Sequence, residues 1–169
     1  MARLSLRASG VFLCLWLMLS SCSRIDDTRI PAMPVNIVFS TEGVWHRYGV
    51  GGALEHKRFI KSTTNPVPAD FPYTLSTYTG FGGVLLVGDI YGVPLAYDLS
   101  CPYEAKPDIR IVVDEDASNA YCPTCGSVYD VFSGFGRPLA GPAAERGYGL
   151  TRYKVVETGN ALDYRIITR

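Results

Sequence analysis

Three cysteines, Cys101, Cys122 and Cys125, are the residues of this chain whose types and spacing are best suited to chemistry. Thiols at such positions can close a disulfide, hold a soft metal ion as thiolates, or exchange with another disulfide. The full sequence has five cysteines, of which Cys14 and Cys22 fall in a distinct N-terminal segment, leaving three. Any internal pair therefore strands one thiol, unless all three bind something together. They lie in two loops. Cys101-Pro102-Tyr103 follows Asp98-Leu99-Ser100, and Cys122-Pro123-Thr124-Cys125-Gly126-Ser127 leads into Val128-Tyr129-Asp130 about 20 residues later. Redox Cys-x-x-Cys pairs usually open a helix whose N-terminus lowers the thiol pKa. Here Gly126-Ser127 opens a strand, which argues against exchange and leaves a disulfide or a metal as the main alternatives.

To bring these loops together, the chain must set two strand-terminating segments side by side at one end of a sheet. Strand signals dominate. Val35-Asn36-Ile37-Val38-Phe39 is rich in β-branched residues, and pairing resumes over 57–60 after a glycine-rich interruption. Threonines and tyrosines over 73–79 read as another strand. Val84-Leu85-Leu86-Val87 is wholly apolar and suits a buried one. Further strands are expected over 94–99, 108–113 and 128–132, the last closed by Ser133-Gly134. A hairpin pairs 153–156 with 162–166 around Thr158-Gly159-Asn160. No segment sustains a helical period. With 17 glycines and 11 prolines spread evenly, the expectation is an all-β domain of antiparallel sheets, a sandwich or small barrel, over residues 35–169.

The N-terminal 21 residues read as a signal peptide. Arg3 and Arg7 precede an apolar run from Val11 to Leu19, too short to span a bilayer. Leu19-Ser20-Ser21-Cys22 resembles the bacterial lipobox, which implies that Cys22 carries lipid and tethers the domain to a membrane through residues 22–34. Ser23 after that cysteine points to the outer membrane of a bacterial envelope. Removing residues 1–21 takes two arginines and no acid, leaving a net charge of −2. Such a balance gives no basic surface for nucleic acid.

Beyond the spacing of its thiols, the second half of the sequence resembles the Rieske iron–sulfur family from about Gly83 to Ile167. That family carries Cys-x-His in its first loop and Cys-x-x-His in its second, two cysteines on one iron and two histidines on the other. Cys101 and Cys122 match the cysteine positions. Tyr103 and Cys125 stand where the histidines belong. Gly126-Ser127-x-Tyr129-Asp130 matches the residues that follow the second ligand pair, Gly141-Pro142-Ala143 the proline-containing segment, and Leu150-x-x-Tyr153 the final hairpin. The resemblance implies a 2Fe–2S cluster, with Ser127 on a bridging sulfide, Tyr129 on a cysteine sulfur, and electron transfer to a redox partner. The substituted histidines imply alternatives. Three thiolates with the Tyr103 phenolate or a water can hold tetrahedral zinc. An oxidising compartment can instead close a disulfide from Cys122 to Cys125, or from Cys101 to either, with no metal at all.

Other residues carry less. His46 and His56 stand alone among charged neighbours and read as surface residues rather than ligands. Asp114-Glu115-Asp116 reads as a solvated hairpin tip rather than a calcium site. No Ser/His/Asp arrangement argues for hydrolysis. Two classes are therefore expected: an electron-transfer protein, or a non-catalytic structural or binding lipoprotein held by zinc or a disulfide.

Overall fold

The computed structural model describes residues 25–158 and 165–168. The signal segment, Cys22 and the hairpin turn at Gly159-Asn160 lie outside the described residues.

Eleven strands and two short helices follow in chain order among the described residues. They are β1 (Val35–Phe39), α1 (Glu42–Tyr48), β2 (His56–Phe59), β3 (Tyr78–Thr79), β4 (Val84–Gly88), β5 (Pro94–Asp98), β6 (Val112–Asp114), β7 (Asn119–Tyr121), β8 (Val128–Asp130), β9 (Arg137–Ala140), α2 (Pro142–Arg146), β10 (Arg152–Glu157) and β11 (Arg165–Thr168). Seven strands form one antiparallel sheet in the order β2-β4-β5-β10-β11-β1-β3, and β6-β7-β8-β9 form a second. The larger sheet curls into a nearly closed barrel. Lys61, just past β2, donates its backbone N–H to Thr79 Oγ1 on β3 at 3.3 Å and its ammonium to the carbonyls of Thr74 and Thr77, so the two edges meet.

β4 explains how the layers join. Val84 and Leu86 enter a cluster with Phe39, Phe59, Phe71 and Ile167, while Leu85 and Val87 enter another with Tyr97, Ile111, Ala120 and Tyr129. A strand buried on both faces cannot alternate apolar with polar, which is why this run is continuous. The cluster containing Leu85 and Val87 joins the two sheets, and it includes Cys101 and Cys122.

The structure departs from the sequence expectation in instructive places. Over 73–79 only Tyr78–Thr79 pairs as a strand; before it, Thr77 Oγ1 accepts from Thr74 N–H at 3.0 Å. Threonine side chains offer the backbone this alternative to a ladder. Over 108–113 only the end is a strand, preceded by a bridge between Ser100 and Arg110. The helix α1 is one that no sustained period announces. Its seven residues are too few for one, and it depends on the Thr41 hydroxyl accepting from Val44 N–H and on burial of Trp45 and Tyr48.

The stretch expected as a tether is docked along 25–30. Asp26 donates to the Gly147 carbonyl at 2.8 Å and accepts from Gly149 N–H at 2.9 Å. Thr151 Oγ1 donates to the Asp27 carbonyl at 2.6 Å, and Ile30 is 3% exposed. One buried isoleucine and a few backbone bonds suffice to hold the segment, and neither leaves a periodic trace in sequence.

Candidate metal centre

Each cysteine loop is fixed by its backbone before any ligand is considered. In the first, Cys101 N–H donates to the Ile109 carbonyl at 2.9 Å, and Ala105 N–H donates back to the Cys101 carbonyl at 2.9 Å, closing a turn over Pro102 and Tyr103. In the second, Cys122 N–H donates to the Ser127 carbonyl at 2.8 Å and Gly126 N–H to the Cys122 carbonyl at 2.9 Å, joining β7 to β8. Gly126 takes a φ of 72° with open space around it, so glycine is there for backbone conformation alone. Gly141 has a second reason. A Cβ there would lie 2.9 Å from the Gly126 carbonyl oxygen and from Ser127 Cα, so its absence lets the start of α2 approach the cysteine turn. That approach puts Ala143 N–H 3.0 Å from Ser127 Oγ, as donor to it.

These constraints bring the three sulfurs together, all within 4.8 Å of one another. Cys101 and Cys122 are buried and Cys125 is half-buried; all three are free thiols. Cys101 Sγ lies 3.6 Å from Cys125 Sγ and 3.4 Å from the Tyr129 hydroxyl. Cys125 Sγ lies 3.1 Å from Ser127 Oγ. Among the described residues this is the one group of three or more cysteine, histidine or acidic ligand atoms gathered closely enough for a metal ion. The cluster can hold one.

The thiols differ electrostatically. Burial pushes the Cys101 thiol up to about 12, against the pull of the Tyr129 hydroxyl and the Glu104 backbone N–H. Burial also acts on Cys125, but the Ser127 hydroxyl and backbone N–H and the two neighbouring thiols hold it below the ordinary thiol value. Burial drives Tyr129 strongly upward, so its hydroxyl remains a donor. The pocket thus supplies hydrogen-bond donors to sulfur, as metal–thiolate sites require of the groups behind their ligands.

Tyr103 lies two residues past Cys101 on the same turn and is 38% exposed. His46 and His56 are elsewhere. They line a cleft of about 570 Å³ with Glu55, Lys57 and Glu115, where His56 Nδ1 lies 3.9 Å from Glu115 Oε1. The Asp114-Glu115-Asp116 turn is the β6–β7 tip, with Asp114 Oδ1 accepting from Ala117 N–H at 3.1 Å.

Two carboxylates to which the sequence assigns no role flank the cysteine loops. Asp98, wholly buried at the end of β5, orders the approach to Cys101. Asp130 ends β8 and accepts from Ser133 N–H and Ser133 Oγ, both at 2.8 Å. For Asp130 burial alone would raise the carboxyl pKa, but bonds from Ser133, Gly134 and Phe132 overcome it and hold the carboxyl below its ordinary value. A carboxyl lowered by folding contributes stability above its unfolded pKa and loses it as pH falls through the folded value. Acid unfolding followed by circular dichroism is therefore expected to be steeper for the wild type than for Asp130→Asn, the two converging at the acid end.

The fold and site define an antiparallel β protein with a three-cysteine centre able to hold a metal ion. Comparison with family models, with curated proteins and with solved structures finds no match to this chain.

Metal–sulfur bond lengths give a scale for these separations. Around a single tetrahedral ion with metal–sulfur bonds of about 2.3 Å, ligand sulfurs sit about 3.8 Å apart. The 3.6 Å separation of Cys101 and Cys125 is such an edge. The three sulfurs are close enough together to share an ion.

Proposed function

We propose that this chain is a lipid-anchored protein of a bacterial envelope, in which Cys101, Cys122 and Cys125 hold a single zinc ion that stabilises a non-catalytic β module. The observation that carries the reading is the 3.6 Å spacing of Cys101 and Cys125 within a trio gathered inside 4.8 Å. Zinc takes tetrahedral thiolate sets readily and needs no redox partner. The fourth position falls to water or to Tyr103. The lipobox-like Leu19-Ser20-Ser21-Cys22 supports the anchor, and Ser23 supports the outer membrane.

A second reading, electron transfer through a variant 2Fe–2S cluster, is favoured by one contact: the Tyr129 hydroxyl 3.4 Å from Cys101 Sγ, the role that the Rieske resemblance implies for it. The two readings separate on purification without oxygen, followed by metal analysis, acid-labile sulfide and an absorption spectrum. A colourless protein with about one zinc per chain is expected. A brown protein with two irons and matching sulfide establishes the second reading instead. A metal-free protein with a disulfide among these cysteines overturns both.

A further inference from the structure

We propose that the face carrying Ile25 and Phe135 lies on the bilayer, against anionic phospholipid headgroups. The proposal rests on the acylation of Cys22 advanced above and says how the anchored domain is oriented.

Reach comes first. Ile25 lies three residue-to-residue steps past Cys22, with Ser23 and Arg24 between them, and extended chain covers at most about 3.5 Å per step, so the lipid attachment stays within about 10 Å of Ile25. A free tether over 22–34 would have let the domain stand off by roughly 40 Å. The docking of 25–30 removes that freedom. Asp26 is paired on both sides with Gly147 and Gly149, Ile30 is buried, and the Arg29 guanidinium sits 4.8 Å over the Tyr148 ring.

The surroundings of Ile25 then suit an interface. Ile25 and Phe135 are 45% and 57% exposed. Ile25 and Phe135 line one shallow groove with Arg137 and Arg152, and Ile25 shares a second with Arg137 and Arg146. Arg152 stacks 5.7 Å over the Phe135 ring and lies 3.8 Å from Asp27. Exposed apolar side chains occur on other faces too, Leu75 and Tyr91 among them; the short reach from Cys22 is what selects this one. An aromatic ring and an aliphatic side chain rimmed by arginines match the headgroup boundary, where apolar stems bury and guanidinium groups meet phosphate. Asp27 and Glu145 share the face, so the attraction is local to the arginines rather than a matter of net charge.

The orientation bears on the cysteine centre. One end of the five-residue α2 holds Ser127 through Ala143 N–H, and Gly147, just past its other end, accepts from Asp26. The three-cysteine centre is therefore one short helix from the docked segment, and a partner reaches it close to the membrane surface.

The test uses the full chain, expressed so that it is processed in the envelope, with the mass of the mature protein reporting acylation of Cys22. Phe135→Trp is reconstituted into phosphatidylethanolamine–phosphatidylglycerol vesicles with and without brominated acyl chains. Buried Trp45 gives the wild-type background. The emission added by F135W is expected to fall with brominated lipid, as for a ring buried about 5–10 Å into the headgroup–acyl boundary, and to recover when Arg146→Glu and Arg152→Glu are added. Acylated protein whose F135W emission is indifferent to bromine overturns the face and leaves the anchor standing. Quenching that persists in the charge-reversed variant overturns the headgroup contact. A mature mass without acyl chains overturns the anchor, and the orientation with it.

Discussion

Cys101→Ser is expected to empty the metal centre and to lower the melting temperature by about 10 °C. Cys101 lies within hydrogen-bonding range of both Cys125 and Tyr129 and is fully buried, so its loss breaks the trio at its most enclosed member. A ligand that binds only the folded state stabilises it by about 4 kcal/mol when present at a thousandfold excess over its dissociation constant. In a domain of this size each kcal/mol moves the midpoint by roughly 2–4 °C. The sheets bury their own cores, so the chain is expected to remain folded without metal, unlike a zinc finger. A serine in a buried site also perturbs packing, and a chelator separates the two effects. Wild type stripped of metal should melt close to C101S, and C101S should not respond to added zinc. If metal removal leaves the wild-type midpoint unchanged while C101S still falls, the loss is one of packing, and the metal contributes nothing to stability.

The sequence made the centre legible because two short-range signals coincide there. The Cys-x-x-Cys-Gly-Ser turn and Cys101 after a strand end both follow from local spacing, and the family resemblance paired them. The continuous apolar run at 84–87 likewise announced a strand buried on both sides. What stayed hidden depends on distant partners. Helix α1 is set by one threonine cap and two aromatic residues that find Phe39 and Phe71. The docked segment at 25–30 reads as polar linker because its bonds are made by backbone atoms, which have no sequence signature. The placement of Cys125 Sγ 3.6 Å from Cys101 Sγ is a distance that no motif encodes.

Asp98 is the extreme case of such a hidden residue, and Asp98→Ala is expected to destabilise the domain by about 3–5 kcal/mol, as breaking a buried charged network does. Its carboxylate is wholly buried and accepts from Phe81 N–H at 2.9 Å, Gly82 N–H at 3.1 Å, Ser100 N–H and Ser100 Oγ both at 2.7 Å, and the Tyr153 hydroxyl at 2.6 Å. Alanine removes the acceptor of all five donors at once, most of them buried, and unsatisfied buried donors cost about 1–3 kcal/mol each before relaxation. Tyr153→Phe removes one partner and keeps the acceptor, so it is expected to cost only about 1 kcal/mol. Asn in place of Asp98 keeps the shape but turns an amide NH₂ toward groups that are themselves donors, and it is expected to fall nearer the alanine variant than the wild type. The consequence extends beyond stability. Ser100, held twice by this carboxylate, immediately precedes Cys101, so loosening it releases the first ligand loop. D98A should therefore bind zinc more weakly in competition with a chromophoric chelator, whereas Y153F should bind as the wild type does. Equal zinc affinity in D98A, alongside a large drop in its melting point, would separate the carboxylate's hold on β5 from any hold on the centre. An unchanged melting point would mean that the five donors find other partners, and that Asp98 does not anchor the first cysteine loop.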